Sequence, residues 1–167
     1  LVLAMAAFPS ACYLRAVRAD LPILYAEDEA FPFGGYKLLR KAGDDSRRVV
    51  LVGSGYLAHS CLKAAEALSA RGTAVAVVDA YSLPMDASSV LALAGPGGIV
   101  LTVEDSYVGG IGSELAEAAA ATPDGAPQVR ALAVRNIPKS GHTPEDVLAY
   151  VHLSVDEIVR AVTAATR

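Results

Sequence analysis

The sequence has no tryptophan, only two cysteines and 6% aromatic residues among its 167. Two cysteines cannot build a disulfide framework, and Cys12 and Cys61 lack the spacing of a metal site. We therefore expect both to be buried, small apolar residues in a reducing compartment, which favours a cytoplasmic location.

The sequence also lacks a basic cluster and a long apolar run. It has 14 Lys and Arg against 18 Asp and Glu, for a net charge of −4, so we expect no nucleic-acid partner. The apolar start, residues 1–12, is not preceded by positive charge and is too short to span a bilayer, so we expect no membrane partner. We interpret Leu1 to Ala7 as the end of a buried helix in a chain cut from something longer.

Hydrophobic residues are plentiful, at 53% of the chain, and their pattern from Arg48 to Asp79 predicts a βαβ unit. Two short apolar runs rich in β-branched residues, 49–52 and 73–78, flank a segment with apolar residues at helical spacing. Gly72 is placed to end that helix. Strands that are apolar throughout indicate a parallel sheet covered on both faces.

The rest of the chain extends this unit. Further strands are predicted at 11–17, 36–40 (an edge strand), 99–103 and 129–134. Further helices are predicted at 87–94 after an Asp86 cap, at about 113–121, from Thr143 and Pro144, and after a Ser154–Glu157 capping box. The order of elements predicts an open, mostly parallel, three-layer α/β/α fold with a Rossmann-like turn.

The turn Gly53-x-Gly55-x-x-Ala58 fits the G-x-G-x-x-G/A pattern of dinucleotide-binding domains. It follows a strand and opens a helix, and Asp79 ends the next strand, where an acidic residue would bind ribose hydroxyls. The alternative is architectural, because any tight strand-to-helix turn favours glycine. No substrate domain or hydride-transfer apparatus is evident in the C-terminal half.

Three other segments are candidate binding sites for an anion or a metal. Arg15 and Arg18, near the end of a predicted strand, are either a fork for an anionic group or two solvated charges. The loop 109–112 is either an anion site at a helix N-terminus or a place for close packing against a neighbouring subunit, and we favour packing. The acidic run 27–29 lies in an irregular connector, where such carboxylates are usually solvated.

Several segments together resemble the C-terminal region of transketolases. Ile99 to Gly112 (IVLTVEDSYVGGIG) resembles that family's LTVEDxYxxGGIG segment with one residue fewer before the glycines, and Leu132 to Gly141 resembles its LAVxxVPRSG loop. Asp79 to Asp86 resembles its DxFTIKPLD turn, and Cys12 to Arg18 resembles the last strand of the preceding pyrimidine-binding domain. The resemblance implies three parts: a remnant of that domain (1–19), a connector (20–35) and a C-terminal domain (36–167).

The resemblance implies part of an enzyme that moves a two-carbon ketol unit between sugar phosphates, using thiamine diphosphate and Mg in a dimer. The motif that binds the cofactor and metal, and the activating glutamate, are absent from this sequence, so no catalytic, cofactor or metal residue is assigned. The isolated chain is expected to be inactive and to contribute contacts to the remaining domains, a partner subunit or a second copy. A substrate-phosphate contact is implied for Arg18 first and Arg15 second. The alternative is a nucleotide-binding or regulatory module that uses Gly53, Gly55 and Asp79.

Overall fold

A computed structural model describes residues 1–17, 20–43, 48–123 and 125–167. The helices and strands in chain order are α1 (Val2–Ala7), β1 (Lys37–Arg40), β2 (Val49–Gly53), α2 (Tyr56–Ser69), β3 (Val75–Asp79), α3 (Ala87–Ala94), β4 (Ile99–Tyr107), α4 (Ile111–Ala121), β5 (Gln128–Val134), α5 (Pro144–Tyr150) and α6 (Val155–Ala165).

The five strands form one sheet in the order β1-β3-β2-β4-β5. Strand β2 is parallel to both of its neighbours, and β4 is parallel to β5. Strand β1 is antiparallel to β3 and lies at the edge. The mostly parallel sheet and the edge strand near 36–40 are therefore confirmed.

Alternate residues of the central strand face opposite layers of helices, as the pleat of a strand requires. Val49 and Leu51 pack in a core with α2 and α6. Val50 and Val52 pack on the other face, in a core with α3 and α4. All five residues of β2 are buried, which explains why its sequence is apolar throughout rather than alternating.

The helix ends follow the predicted chemistry in most places. Asp86 caps α3 by accepting a hydrogen bond from the Ser89 backbone N–H, as expected. Thr143 and Asp146 form a reciprocal capping box on α5. At α6, Ser154 accepts from the Glu157 N–H, but Glu157 contacts Arg160 and His152 instead of closing the box, so that prediction is only half right.

Strand β4 continues to Tyr107, four residues beyond the predicted end at Val103, and α4 begins at Ile111 rather than near Ser113. The predicted strand ended at Val103 because the apolar run stops there and is followed by Glu104 and Asp105. Here Glu104 is buried because backbone N–H groups bind it, and Asp105 points to the exposed side.

The N-terminal segment differs most from expectation. Residues 11–17 form no strand, since no other strand of the described residues pairs with them and an isolated strand is not stable. No residue of α1 is buried, and Cys12 is exposed whereas Cys61 is buried, so burial was predicted wrongly for α1 and Cys12. The predicted turns over 41–47 and 122–127 fall partly outside the described residues.

Candidate functional site

A shallow cleft of about 130 Å³ lies over the turn that joins β2 to α2. Parallel strands end together at one edge of a sheet, and this is where open α/β folds bind ligands. The cleft lies between the turn and the N-terminal segment, and its lining residues are Arg15, Ala16, Val17, Ser54, Gly55, Tyr56 and Asp105. The structure therefore brings one of the two predicted arginines to the glycine turn.

Arg15 forms an ion pair across this cleft. Its Nη2 atom lies 2.5 Å from Oδ2 of Asp105, and the two side chains are 51% and 38% exposed. The partners are 90 residues apart in sequence. Arg18, the first choice for a phosphate contact, lies outside the described residues.

Asp79, at the end of β3, is covered by the connector. Its side chain is buried, with 6% of the residue exposed, and its Oδ2 atom accepts a hydrogen bond of 2.5 Å from the Tyr25 hydroxyl. Burial raises the pKa of Asp79 above its ordinary value, although the hydrogen bond from Tyr25 opposes that rise. The other carboxylate oxygen, Oδ1, is buried without a hydrogen-bond partner among the described residues. A ribose would have to displace Tyr25 to reach this carboxylate.

Aromatic side chains hold the connector against the same edge. Phe31 packs edge-on against both Tyr25 and Tyr81, with ring centroids 4.9 Å apart in each case. The Tyr81 hydroxyl donates to the Pro32 carbonyl at 2.9 Å. Lys37 pairs with Glu29 and lies over the Phe31 ring, so one carboxylate of the acidic run 27–29 has a structural partner.

The second glycine loop, residues 109–112, binds a carboxylate of its own chain. The backbone N–H groups of Ile111 and Gly112 donate to the two carboxylate oxygens of Glu104, each at 2.7 Å. Glu104 is 6% exposed. A side-chain carboxylate thus satisfies two N–H groups at the start of α4, where they have no partner within the helix.

Close packing explains why two positions of this loop are glycine. A Cβ atom on Gly112 would lie 2.7 Å from both the Ala131 Cβ and the Thr102 Oγ1 atoms, and one on Gly110 would collide with the Glu104 carboxylate. The loop is therefore tightly packed, as expected, but against its own sheet. Its packing against a neighbouring subunit stays a prediction.

The cleft has few side chains suited to proton transfer. The Tyr56 hydroxyl donates to Glu145 at 3.1 Å, and desolvation followed by this contact raises the pKa of Tyr56. His59 and Cys61 lie farther along α2 and do not line the cleft. Burial lowers the pKa of His59, and nearby Lys63 lowers it further. Burial raises the pKa of the Cys61 thiol, which makes it unreactive.

The sequence analysis did not identify Tyr25, Glu104 and Asp105 as residues that form the main side-chain contacts at the strand ends. A signal existed for two of them, because adjacent acidic residues near the end of an apolar strand point to opposite faces. Glu104 then faces the helix start while Asp105 faces the cleft. For Tyr25 we find no comparable sequence signal, since its partner is 54 residues away.

Within residues 1–17, 20–43, 48–123 and 125–167, no three His, Cys, Asp or Glu side chains converge in a way that suits a metal ion. In the same ranges, no helix has both the length and the apolar character needed to cross a membrane.

Comparison with known proteins gives consistent matches. The family model for the transketolase C-terminal domain matches residues 37–158. Transketolase-like protein 1 of Bos taurus is 37% identical over 154 residues, which cover 90% of this chain and 25% of that protein. Transketolase of Mus musculus is 35% identical over 154 residues, covering 90% of this chain and 24% of that protein. The chain thus spans about a quarter of the length of these relatives.

A solved structure agrees with these matches. A split gene transketolase, described as an inactive beta4 tetramer, superposes with a TM-score of 0.74 at 30% identity. The superposition covers 89% of this chain and 47% of that one.

Proposed function

This chain belongs to the transketolase C-terminal domain family over residues 37–158, and on that basis we propose that it works as one part of a thiamine-diphosphate-dependent transketolase. The enzyme would transfer a two-carbon ketol unit from a ketose phosphate to an aldose phosphate. The observation that carries the proposal is the family match combined with the sequence identity to transketolases.

Thiamine diphosphate and Mg, which supply the carbanion chemistry, would be bound by parts of the enzyme absent from this chain. The chain would provide a rigid domain, contacts to the remaining transketolase domains or a partner subunit, and dimer contacts. Residues 1–19 would belong to the end of a pyrimidine-binding domain, 20–35 would connect, and 36–167 would form the C-terminal domain. Arg18, the first choice, would contact the substrate phosphate, whereas Arg15, the second choice, is paired with Asp105 in this structure. The enzyme would be cytoplasmic.

The similar split gene transketolase supports a separate-chain arrangement, since that protein is described as inactive and as a beta4 tetramer. By analogy, this chain alone would form a homo-oligomer without activity, and a second polypeptide would complete the enzyme. An arrangement on one polypeptide has the same domain contacts and differs only in gene organisation.

Reconstitution tests the proposal directly. The chain alone, with thiamine diphosphate and Mg²⁺, should give no ketol transfer. The chain combined with the cofactor-binding and pyrimidine-binding domains from the same genome should convert a ketose phosphate and an aldose phosphate. Turnover by the isolated chain, or no turnover by an assembled complex of correct mass, would refute it.

The alternative, a nucleotide-binding or regulatory module, is favoured by one observation. The turn with Gly53 and Gly55 does lie between a parallel strand and the helix that follows. Against it, the Tyr25 hydroxyl occupies Asp79, the residue that would bind the ribose.

A further inference from the structure

We propose that Asp105 and Asp79 are positioning residues that act through Arg15 and Tyr25 to hold the N-terminal part of the chain on the carboxyl edge of the sheet. It follows that Arg15 is a structural residue and not a substrate ligand. This last step rests on the proposed function, whereas the two attachments stand on the geometry of this chain.

The two attachment points flank the glycine turn. Strand β2 lies between β3 and β4, and Gly53 at its end is level with Asp79 on one side and with Val103 on the other. Asp105 lies two residues beyond Val103. The chain before β1 is therefore attached at the ends of both strands that neighbour the turn, through Arg15 at the end of β4 and through Tyr25 of the connector at the end of β3. It crosses the edge where a Rossmann-type ligand would lie.

The attachment at β4 is an ion pair between Arg15 and the Asp105 carboxylate. The Arg15 guanidinium lies 2.5 Å from Asp105, and both residues line the cleft together with Ser54 and Gly55. A phosphate bound in this cleft would be attracted by the Arg15 guanidinium. It would also be repelled by the Asp105 carboxylate, which lies beside that guanidinium. The local charge is balanced without a ligand, which suits a structural contact.

The attachment at β3 is less exposed and involves more contacts. Tyr25 donates to the buried Asp79, and its ring packs edge-on against Phe31, which in turn packs against Tyr81. Farther along the connector, the Gly34 N–H donates to the Ser82 Oγ atom at 3.0 Å. These contacts fix the connector on the loop after β3.

Spin labelling tests the Arg15 attachment. Cys12 is exposed and Cys61 is buried, so a nitroxide on Cys12, paired with one on Glu66→Cys in α2, reports the position of the N-terminal segment. We expect one narrow distance distribution in the labelled parent protein. Asp105→Asn and Arg15→Gln should broaden it, lowering the ratio of docked to undocked segment by up to about fivefold, as suits a half-exposed ion pair.

The matched control is Arg160→Gln, which removes a different arginine–carboxylate pair, that of the exposed Arg160 with Glu157, and should leave the distribution narrow. The charge-swapped double variant, Arg15→Asp with Asp105→Arg, should restore it. An unchanged distribution in Asp105→Asn, or a failure of the swap to restore the narrow one, would overturn the Arg15 attachment.

Hydrogen–deuterium exchange tests the second attachment. Tyr25→Phe keeps the ring and removes only the hydroxyl, so the protein should fold. Exchange of the Glu29, Gly34 and Gly35 amides, which are hydrogen-bonded within and beside the connector, should rise by roughly tenfold or more because a bond to a buried carboxylate is lost. Tyr13→Phe, at an exposed tyrosine, is the control, and equal exchange in both variants would overturn this attachment.

The assembled enzyme separates the inference from the proposed function. Arg15→Gln should change KM for phosphorylated and unphosphorylated aldehyde acceptors by the same factor. A selective loss with phosphorylated acceptors would make Arg15 a phosphate ligand and overturn its structural assignment. Absence of ketol transfer by the assembled parent enzyme would refute the proposed function while leaving the spin-label and exchange results standing.

Discussion

Strands β2 and β4 each lead through a glycine turn into a helix, yet only the first turn has the dinucleotide pattern. In the second, the two N–H groups that open α4 bind Glu104 from the same strand. In the first, the acidic residue beside the turn is Asp79 from the neighbouring strand, and Tyr25 covers it. The comparison teaches that the second turn binds a carboxylate of its own chain, whereas the carboxylate beside the first turn is bound by Tyr25 of the connector.

The largest effect should come from removing the carboxylate of the second turn. Glu104→Ala leaves two buried N–H groups without a partner, and we expect the free energy of unfolding to fall by ~3 kcal/mol, since hydrogen bonds to charged groups are among the stronger ones. Urea denaturation measures this. Glu117→Ala, an exposed position on the same helix, is the control and should cost well under ~1 kcal/mol. Equal losses in the two variants would show that the carboxylate does not stabilise the turn.

A smaller effect should distinguish the two glycines of the first turn. A Cβ on Gly53 would lie 2.8 Å from the Leu57 backbone carbon and oxygen, whereas one on Gly55 would meet nothing within 4 Å. Gly53→Ala must move α2 and should cost ~2–3 kcal/mol.

The matched variant Gly55→Ala should cost less, about 1–2 kcal/mol, because it strains only a positive φ of 53°. Urea denaturation of both variants tests the order. A larger loss of stability in Gly55→Ala than in Gly53→Ala would mean that α2 shifts easily and that the positive φ of Gly55 determines the stability of this turn.

The fold was predictable because its signals are local. The all-apolar runs of β2 and β3, the helix stop at Gly72 and the Asp86 cap each require only neighbouring residues, and the structure confirms each of these elements. Residues 11–17 alternate like a strand but form none in this structure. Periodicity predicts that a segment suits a sheet, but a strand also needs a paired neighbour.

The candidate site was harder to predict because its contacts are distant in sequence. Arg15 meets Asp105 across 90 residues, and Tyr25 meets Asp79 across 54. The strand ends did place Asp79 beside the glycine turn, as the βαβ pattern required. What the pattern could not supply was the connector, whose aromatic residues decide whether that carboxylate is open to a ligand.

The charge state of Asp79 offers a third and weaker probe of the first turn. Burial raises its pKa, so the folded protein binds more protons than the unfolded chain between the ordinary Asp pKa and the raised one. The free energy of unfolding should therefore fall as pH rises through that window. Above the raised pKa, Asp79 should add no further pH dependence. Asp79→Asn should remove this fall, as measured by urea denaturation from pH 4 upwards. If the free energy of unfolding of Asp79→Asn depends on pH as that of the parent protein does, Asp79 is not the source of the fall.

The smallest expected effect concerns the dinucleotide itself. Because Tyr25 occupies Asp79 and the connector packs beside the turn, millimolar NADH should leave Tm unchanged, whereas a ligand at 100 times its Kd would stabilise the fold by ~2.7 kcal/mol. Tyr25→Phe provides the matched comparison, since it loosens the connector without altering the glycine turn. A rise in Tm in the parent protein that Asp79→Asn abolishes would make the first turn a nucleotide site. A rise only in Tyr25→Phe would mean that the turn retains the capacity to bind and that the connector alone prevents it.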